Sequence, residues 1–76
     1  MRYVIGDTLR QARKNAGYSV EEVLHLLEEK GVHSSIKSIY GWENEFCYPP
    51  LEKFLVLCEI YEIQDILGTF RNNDNA

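Results

Sequence analysis

Residues 34–44, SSIKSIYGWEN, hold the densest group of side chains that could bind a polar ligand. Lys37 could pair with a phosphate or donate to a base edge, and the hydroxyl of Tyr40 could donate to a phosphate oxygen. An exposed isoleucine such as Ile36 can contact the methyl group of thymine. These side-chain types, on one side of a short helix, have the chemistry of nucleic-acid recognition.

Each of these positions also has an ordinary structural interpretation. Lys37 could be a solvated surface lysine, Ile36 could pack under the preceding turn, and Tyr40 could be partly buried against the second helix. Gly41 costs about 1 kcal/mol relative to alanine inside a helix, so close approach to DNA would give it a purpose. We favour a base or phosphate contact for Lys37 and a phosphate contact for Tyr40.

The charge of the chain is unevenly distributed. The formal net charge of −4 opposes nucleic-acid binding, because the affinity of such complexes comes largely from Lys and Arg. The balance is however +1 over residues 1–37 and −5 over residues 38–76. An acidic second half can lie behind a binding face and moderate non-specific binding. Arg10 and Lys14 are then left for solvent or for phosphates near the end of the first helix.

Other functional classes find little support. Cys47 and Cys58 fit neither a disulfide framework nor zinc spacing, so we predict free thiols, with Cys58 buried in a helix. His25 and His33 lack a nucleophile and an orienting acid at recognisable spacing, so we predict no enzyme, no metal and no cofactor. No apolar run approaches the ~20 residues of a membrane span, and the N-terminus lacks a signal-peptide core. We expect a cytoplasmic protein.

The elements that must position residues 34–44 are helices. Gly17 ends the first helix, Ser19 and Glu22 form a capping box that opens the second, and Gly31 ends it. Ser34 or Ser35 caps a third helix over about 35–44, and two helices follow Pro49-Pro50. Apolar residues at helical spacing predict the buried faces of the five helices: Ile5, Leu9, Ala12 and Ala16; Val23, Leu24, Leu26 and Leu27; Ile39 and Trp42; Leu51, Phe54, Leu55, Cys58 and Tyr61; Ile63, Ile66, Leu67 and Phe70.

Five segments in order resemble the phage-repressor and Cro-like helix-turn-helix family, in particular its prophage-type repressors. The resemblance covers roughly residues 3–67, most of the chain. The segments that carry it are Leu9–Arg13 (LRQAR), Gly17–Val23 (GYSVEEV), Ile36–Asn44 (IKSIYGWEN), Pro49 and Leu57–Tyr61 (LCEIY).

The resemblance implies a fold and a set of contacts. The fold would be all-α, a compact five-helix bundle of the lambda-repressor-like type over residues 1–70, with a polar tail or the start of a linker over residues 71–76. Helix three would enter the major groove of double-stranded DNA. The implied DNA-binding residues are Ser34, Ser35, Ile36, Lys37, Tyr40, Gly41 and Asn44, with Arg10 and Lys14 on the first helix.

The resemblance also implies an ion pair between Arg13 and Glu43 that fixes helix three. Two positions depart from the family pattern. Val20 stands where the family usually has a glutamine that contacts the DNA backbone. Glu45 stands where the family usually turns with glycine, so we expect the turn after Asn44 to be built differently, with a carboxylate near the binding face.

We therefore expect a sequence-specific DNA-binding transcriptional regulator, a repressor, that binds a palindromic operator as a homodimer. Ile63, Ile66, Leu67 and Phe70, with Phe46 or Tyr48, could form an exposed patch for self-association, or the first four could complete the core of the monomer. The alternative function is a protein-interaction or antitoxin-type module on the same fold, with weak or no DNA binding.

Overall fold

Capping side chains and glycines set half of the helix ends in the computed structural model, which describes residues 2–72. Ser19 Oγ accepts from the N–H of Glu22, whose carboxylate accepts from the N–H of Ser19, which completes the predicted capping box. Gly17 and Gly31 have φ of 82° and 80°, a region that glycine adopts without steric cost. The helices are α1 (Gly6–Asn15), α2 (Val20–Glu29), α3 (Ile36–Glu43), α4 (Leu51–Ile60) and α5 (Ile66–Phe70).

The prediction of an all-helical fold is confirmed over the described residues, and all five helices contribute to one apolar core. Cys58 lies in that core as a buried free thiol, as predicted, and Cys47 is an exposed one. The rings of Phe54 and Phe70 stand 5.1 Å apart, centroid to centroid, and tie α5 to α4. The most deeply buried large side chains are Leu9, Val23, Leu27, Ile39, Leu57 and Phe70.

Three core assignments in α1 and α4 are wrong, and one core residue in α2 was not predicted. Ala16 is exposed because it caps α1 rather than belonging to its last turn. Leu51 is 75% exposed and Leu55 48% exposed, since the core contacts the side of α4 that carries Leu57. Val20, which the apolar pattern of α2 did not include, is only 3% exposed, so the first residue of this helix packs into the core.

Both ends of the described chain are paired with each other. The N–H of Val4 donates to the carbonyl of Phe70, and the N–H of Asn72 donates to the carbonyl of Arg2, each at 2.8 Å. Tyr3 and Arg71 form an isolated antiparallel bridge between them. The predicted boundary after residue 70 therefore falls inside this pairing, and residues 73–76 of the predicted tail lie outside the described residues.

Most of the apolar side chains near α5 complete the core of the monomer. Phe70 is buried, and Ile63 and Ile66 are partly buried against the same cluster. Of these four side chains only Leu67, at 61% exposed, is available to the predicted self-association patch, whose suggested loop members Phe46 and Tyr48 are exposed too. The large apolar side chains exposed on the rest of the described surface are Tyr40, Phe46, Tyr48, Leu51 and Leu55.

Candidate functional site

The inner face of α3 is fixed by packing. Ile39 and Trp42 are almost fully buried, as predicted, and α1 and α2 are the helices that pack on α3. At the start of the helix, Ser35 Oγ accepts from the N–H of Ser38 at 3.1 Å. Buried apolar groups and a cap together give α3 one defined orientation on the scaffold.

An ion pair between α1 and α3 adds a second constraint, as predicted. Arg13 Nε donates to Glu43 Oε2 at 2.7 Å, and Nη2 donates to Oε1 at 3.0 Å. The side chains are only 11% and 4% exposed, so neither charge is well hydrated. The hydrogen bond to Glu43 raises the pKa of Arg13 above its ordinary value. Its Nη1 donates to the carbonyl of Tyr18, which anchors the guanidinium.

Gly6 allows α1 to approach the C-terminal end of α3 closely. A Cβ at this position would lie 2.5 Å from the carbonyl oxygen of Trp42 and equally near Cγ of Glu45. Such contacts are far below van der Waals distance, so the side chain of any other residue would push the helices apart. The sequence reasoning missed Gly6 because a glycine beside the start of a helix is compatible with many local structures.

The outer face of α3 carries the predicted contact residues. Lys37, Tyr40 and Asn44 are exposed, whereas Ile36 and Gly41 are partly buried. Asn44 Nδ2 donates to the carbonyl of Tyr40 at 2.9 Å, so one amide hydrogen already stabilises the end of the helix. The exposed side of α3 thus offers one cation, one phenol and the rest of one amide, within a mostly apolar surface.

The two predicted serines before α3 are less free to bind a ligand. Ser35 Oγ accepts the capping hydrogen bond and also donates to Ser38 Oγ at 3.0 Å. Ser34 is partly buried, and its Oγ has no hydrogen-bond partner within residues 2–72. Their DNA contacts remain predictions, and Ser35 already has a structural role.

A loop covers one side of the outer face of α3. Phe46 and Cys47 line a shallow groove together with Ile36, Tyr40 and Gly41. A Cβ at Gly41 would lie 3.4 Å from Cys47 Sγ, close to ordinary van der Waals contact, so the loop alone does not require a glycine here. Phe46 is 85% exposed, the highest value among the large apolar side chains of residues 2–72. Sequence reasoning placed Phe46 in the self-association patch and not in the DNA-binding site, because a residue in a proline-terminated loop has no periodic pattern to locate it.

Acidic groups border this face. Glu45 has φ of 62°, the left-handed conformation that glycine prefers, so the turn takes the shape that glycine would give it and the expectation of a different turn is wrong. Its carboxylate immediately follows the exposed Asn44. Arg10 pairs with Asp7 on α1, which leaves Lys14 and Lys37 as the predicted contact cations without an ion pair in the described part of the chain.

The described residues contain no group of three or more His, Cys, Asp or Glu side chains placed to hold a metal ion. Over the same residues, none of the helices is both long and apolar enough to cross a bilayer. No protein-family model, curated protein or solved structure matches the chain.

Proposed function

We propose that the chain is a cytoplasmic, sequence-specific DNA-binding regulator, a repressor, which inserts α3 into the major groove as the second helix of a helix-turn-helix. The observation that carries the proposal is the arrangement of α3. Its inner face is fixed by Ile39, Trp42 and the Arg13–Glu43 pair, while Lys37, Tyr40 and Asn44 project from the side that no other helix covers. A helix held in this way can present side chains to base edges with little freedom to lose on binding.

The proposal assigns contacts by side-chain chemistry. Lys37 would donate to a base acceptor or a phosphate, and Tyr40 would donate its hydroxyl to a phosphate. Lys14 on α1 would add a phosphate contact, whereas Arg10 would first have to leave Asp7. With so few cations, the affinity should be modest and strongly dependent on shape and apolar contacts to thymine methyl groups.

Two copies on a palindromic site complete the proposal. An α3 of eight residues reaches only a few base pairs, so one copy supplies neither the affinity nor the specificity of a regulator. Two copies with recognition helices one turn of DNA apart, ~34 Å, double the contacts. Sedimentation at saturation on such a site should give two chains per duplex; one chain per duplex on a site with both half-sites intact would contradict the dimer.

The decisive experiment is selection from a random duplex library followed by fluorescence anisotropy on the selected sequence at two salt concentrations. We expect enrichment of a defined sequence and a dissociation constant that rises with salt along a shallow slope, because each chain has few cations that can release counterions from the phosphates. A scrambled duplex of equal length is the control. Equal binding to both duplexes, or none to either, would contradict the proposal.

One observation favours a second candidate, a protein-interaction or antitoxin-type module. The groove beside α3 is largely apolar, and the exposed Phe46 is the type of side chain that anchors protein interfaces. In that case the selection would return no enriched sequence. The variant Phe46→Ser would abolish partner binding while leaving the free energy of unfolding nearly unchanged.

A further inference from the structure

A second concave surface lies away from the outer face of α3. It is a half-open cleft of about 440 Å³ between the C-terminal end of α1 and the turn that joins α4 to α5. Ala16 and Ile63 contribute apolar walls, Tyr18 and Tyr61 contribute aromatic rings, and Glu62 contributes a carboxylate. This size and mixture of surfaces is typical of sites for small organic ligands.

Tyr61 lines the cleft and has an unused polar group. The residue is only 9% exposed, yet its hydroxyl makes no hydrogen bond to any other residue in the range 2–72. The hydroxyl oxygen is not one of the buried atoms without a partner, so it is reached by solvent and can bond to water or to a ligand. Burial, and then the nearby charge of Glu43, raise the pKa of Tyr61, which keeps the phenol protonated.

Glu62 gives the cleft its electrostatic character. It follows α4 with φ of 57°, the left-handed conformation that ends the helix, where the N–H of Ile63 donates to the carbonyl of Cys58. The C-terminal end of α4 adds the partial negative charge of the helix dipole, although the carbonyls of Leu57, Cys58 and Glu59 already accept backbone hydrogen bonds. None of the described residues that line the cleft is a lysine or an arginine. A carboxylate, a helix C-terminus and two aromatic rings together attract a cation.

We propose that this cleft binds a small organic cation, an ammonium group carried on an apolar or aromatic body. The ammonium would lie near Glu62 and the end of α4, with the body between the tyrosine rings and the apolar walls. The hydroxyl of Tyr61 would hydrogen-bond to the ligand. This site shares no residue with the outer face of α3, so the cation-binding proposal can be tested independently of DNA binding.

The test is an NMR titration of the ¹⁵N-labelled chain with 2-phenylethylamine, compared with phenylacetate and 2-phenylethanol, which keep the ring but not the positive charge. We expect saturable shifts of the amides of Tyr18, Tyr61, Glu62 and Ile63 with the amine, and a dissociation constant of about 1 mM. Glu62→Gln and Tyr61→Phe should each weaken binding roughly threefold.

Glu52→Gln is the matched control, because Glu52 is an exposed glutamate at the opposite end of α4 and does not line the cleft. It should bind the amine as the unaltered chain does. Equal loss in Glu52→Gln and Glu62→Gln would overturn the proposal. So would equal binding of phenylacetate, or the absence of saturable shifts below roughly 10 mM amine. The spectrum of each variant without ligand reports whether it is folded.

Discussion

The two faces of α3 differ in how they are determined. On the inner face, Ile39, Trp42 and Glu43 are each at most 5% exposed, and every one has a packing or ionic partner. On the outer face, Lys37 and Tyr40 have no hydrogen bond from their side chains to another described residue. The stability of the fold therefore depends on the inner face, whereas the side chains of the outer face are available to contact a ligand.

This division separates two kinds of experimental result. Substitutions on the inner face should change the free energy of unfolding, and they should change ligand binding only through the fold. Substitutions on the outer face should do the reverse. An outer-face substitution that changes both the free energy of unfolding and ligand binding would contradict this distinction between the two faces.

Trp42→Ala should have the largest effect. It removes a large side chain that is 4% exposed and leaves a cavity between α3 and the core, which should cost about 3–5 kcal/mol of unfolding free energy. For a domain of this size, that loss is comparable to the whole stability. Urea unfolding followed by circular dichroism measures it. In the unaltered chain, we also expect iodide to quench the fluorescence of Trp42 only weakly, because the side chain is buried. Strong quenching would mean that the inner and outer faces of α3 have been exchanged.

Arg13→Ala should be the next largest, at about 3 kcal/mol, because it leaves the buried carboxylate of Glu43 without its partner. Arg10→Ala is the matched control on the same helix, since its pair with Asp7 is exposed and should contribute less than about 1 kcal/mol. Thermal unfolding of both variants gives the contrast. Similar small losses in the two would show that the Arg13–Glu43 pair does not fix α3.

The inner face was largely predictable from the sequence. Ile39 and Trp42 recur at helical spacing, and Ser19 with Glu22 forms a local signal that needs no tertiary information. The Arg13–Glu43 pair could be expected only from the family resemblance, because residues 30 positions apart carry no spacing signal.

The other features of the fold and the candidate site could not be predicted, because they depend on contacts between residues that are distant in the sequence. Val20 looks like an exposed first-turn residue until α2 is placed against the core, and Gly6 looks unremarkable until α1 meets the end of α3. Phe46 and Cys47 reach the groove beside α3 only because the loop folds back on Gly41. The DNA contacts themselves remain predictions, since neither the sequence nor the packing of α3 contains the ligand.

Lys37→Ala tests the outer face alone. If Lys37 reads a base, the variant should lose roughly 1–3 kcal/mol of binding free energy on the selected duplex; if it contacts only a phosphate, the salt slope should fall by about one. The unfolding free energy should stay within about 0.5 kcal/mol, because the side chain is exposed. Lys53→Ala on α4 is the control and should bind unchanged. An unaltered affinity in Lys37→Ala would remove this residue from the site.

Glu45→Gly should have the smallest effect, and it tests the border between the two faces. Glycine relieves the left-handed backbone at this position but loses more chain entropy on folding, so the net gain in stability should be about 0.5 kcal/mol. Removal of a carboxylate beside Asn44 should also strengthen DNA binding about twofold at low salt.

Glu62→Gly is the matched control for Glu45→Gly, because Glu62 has nearly the same φ, 57°, but lies in the turn after α4. Thermal unfolding should give the two variants the same sign of stability change, and anisotropy should show tighter DNA binding only for Glu45→Gly. Tighter binding in both would mean that net charge alone controls affinity. If the Glu45 carboxylate repels DNA because it lies beside the outer face of α3, only Glu45→Gly should bind DNA more tightly. If the net charge of the chain is what opposes DNA, both variants should bind more tightly. Only the first result agrees with DNA bound at the outer face.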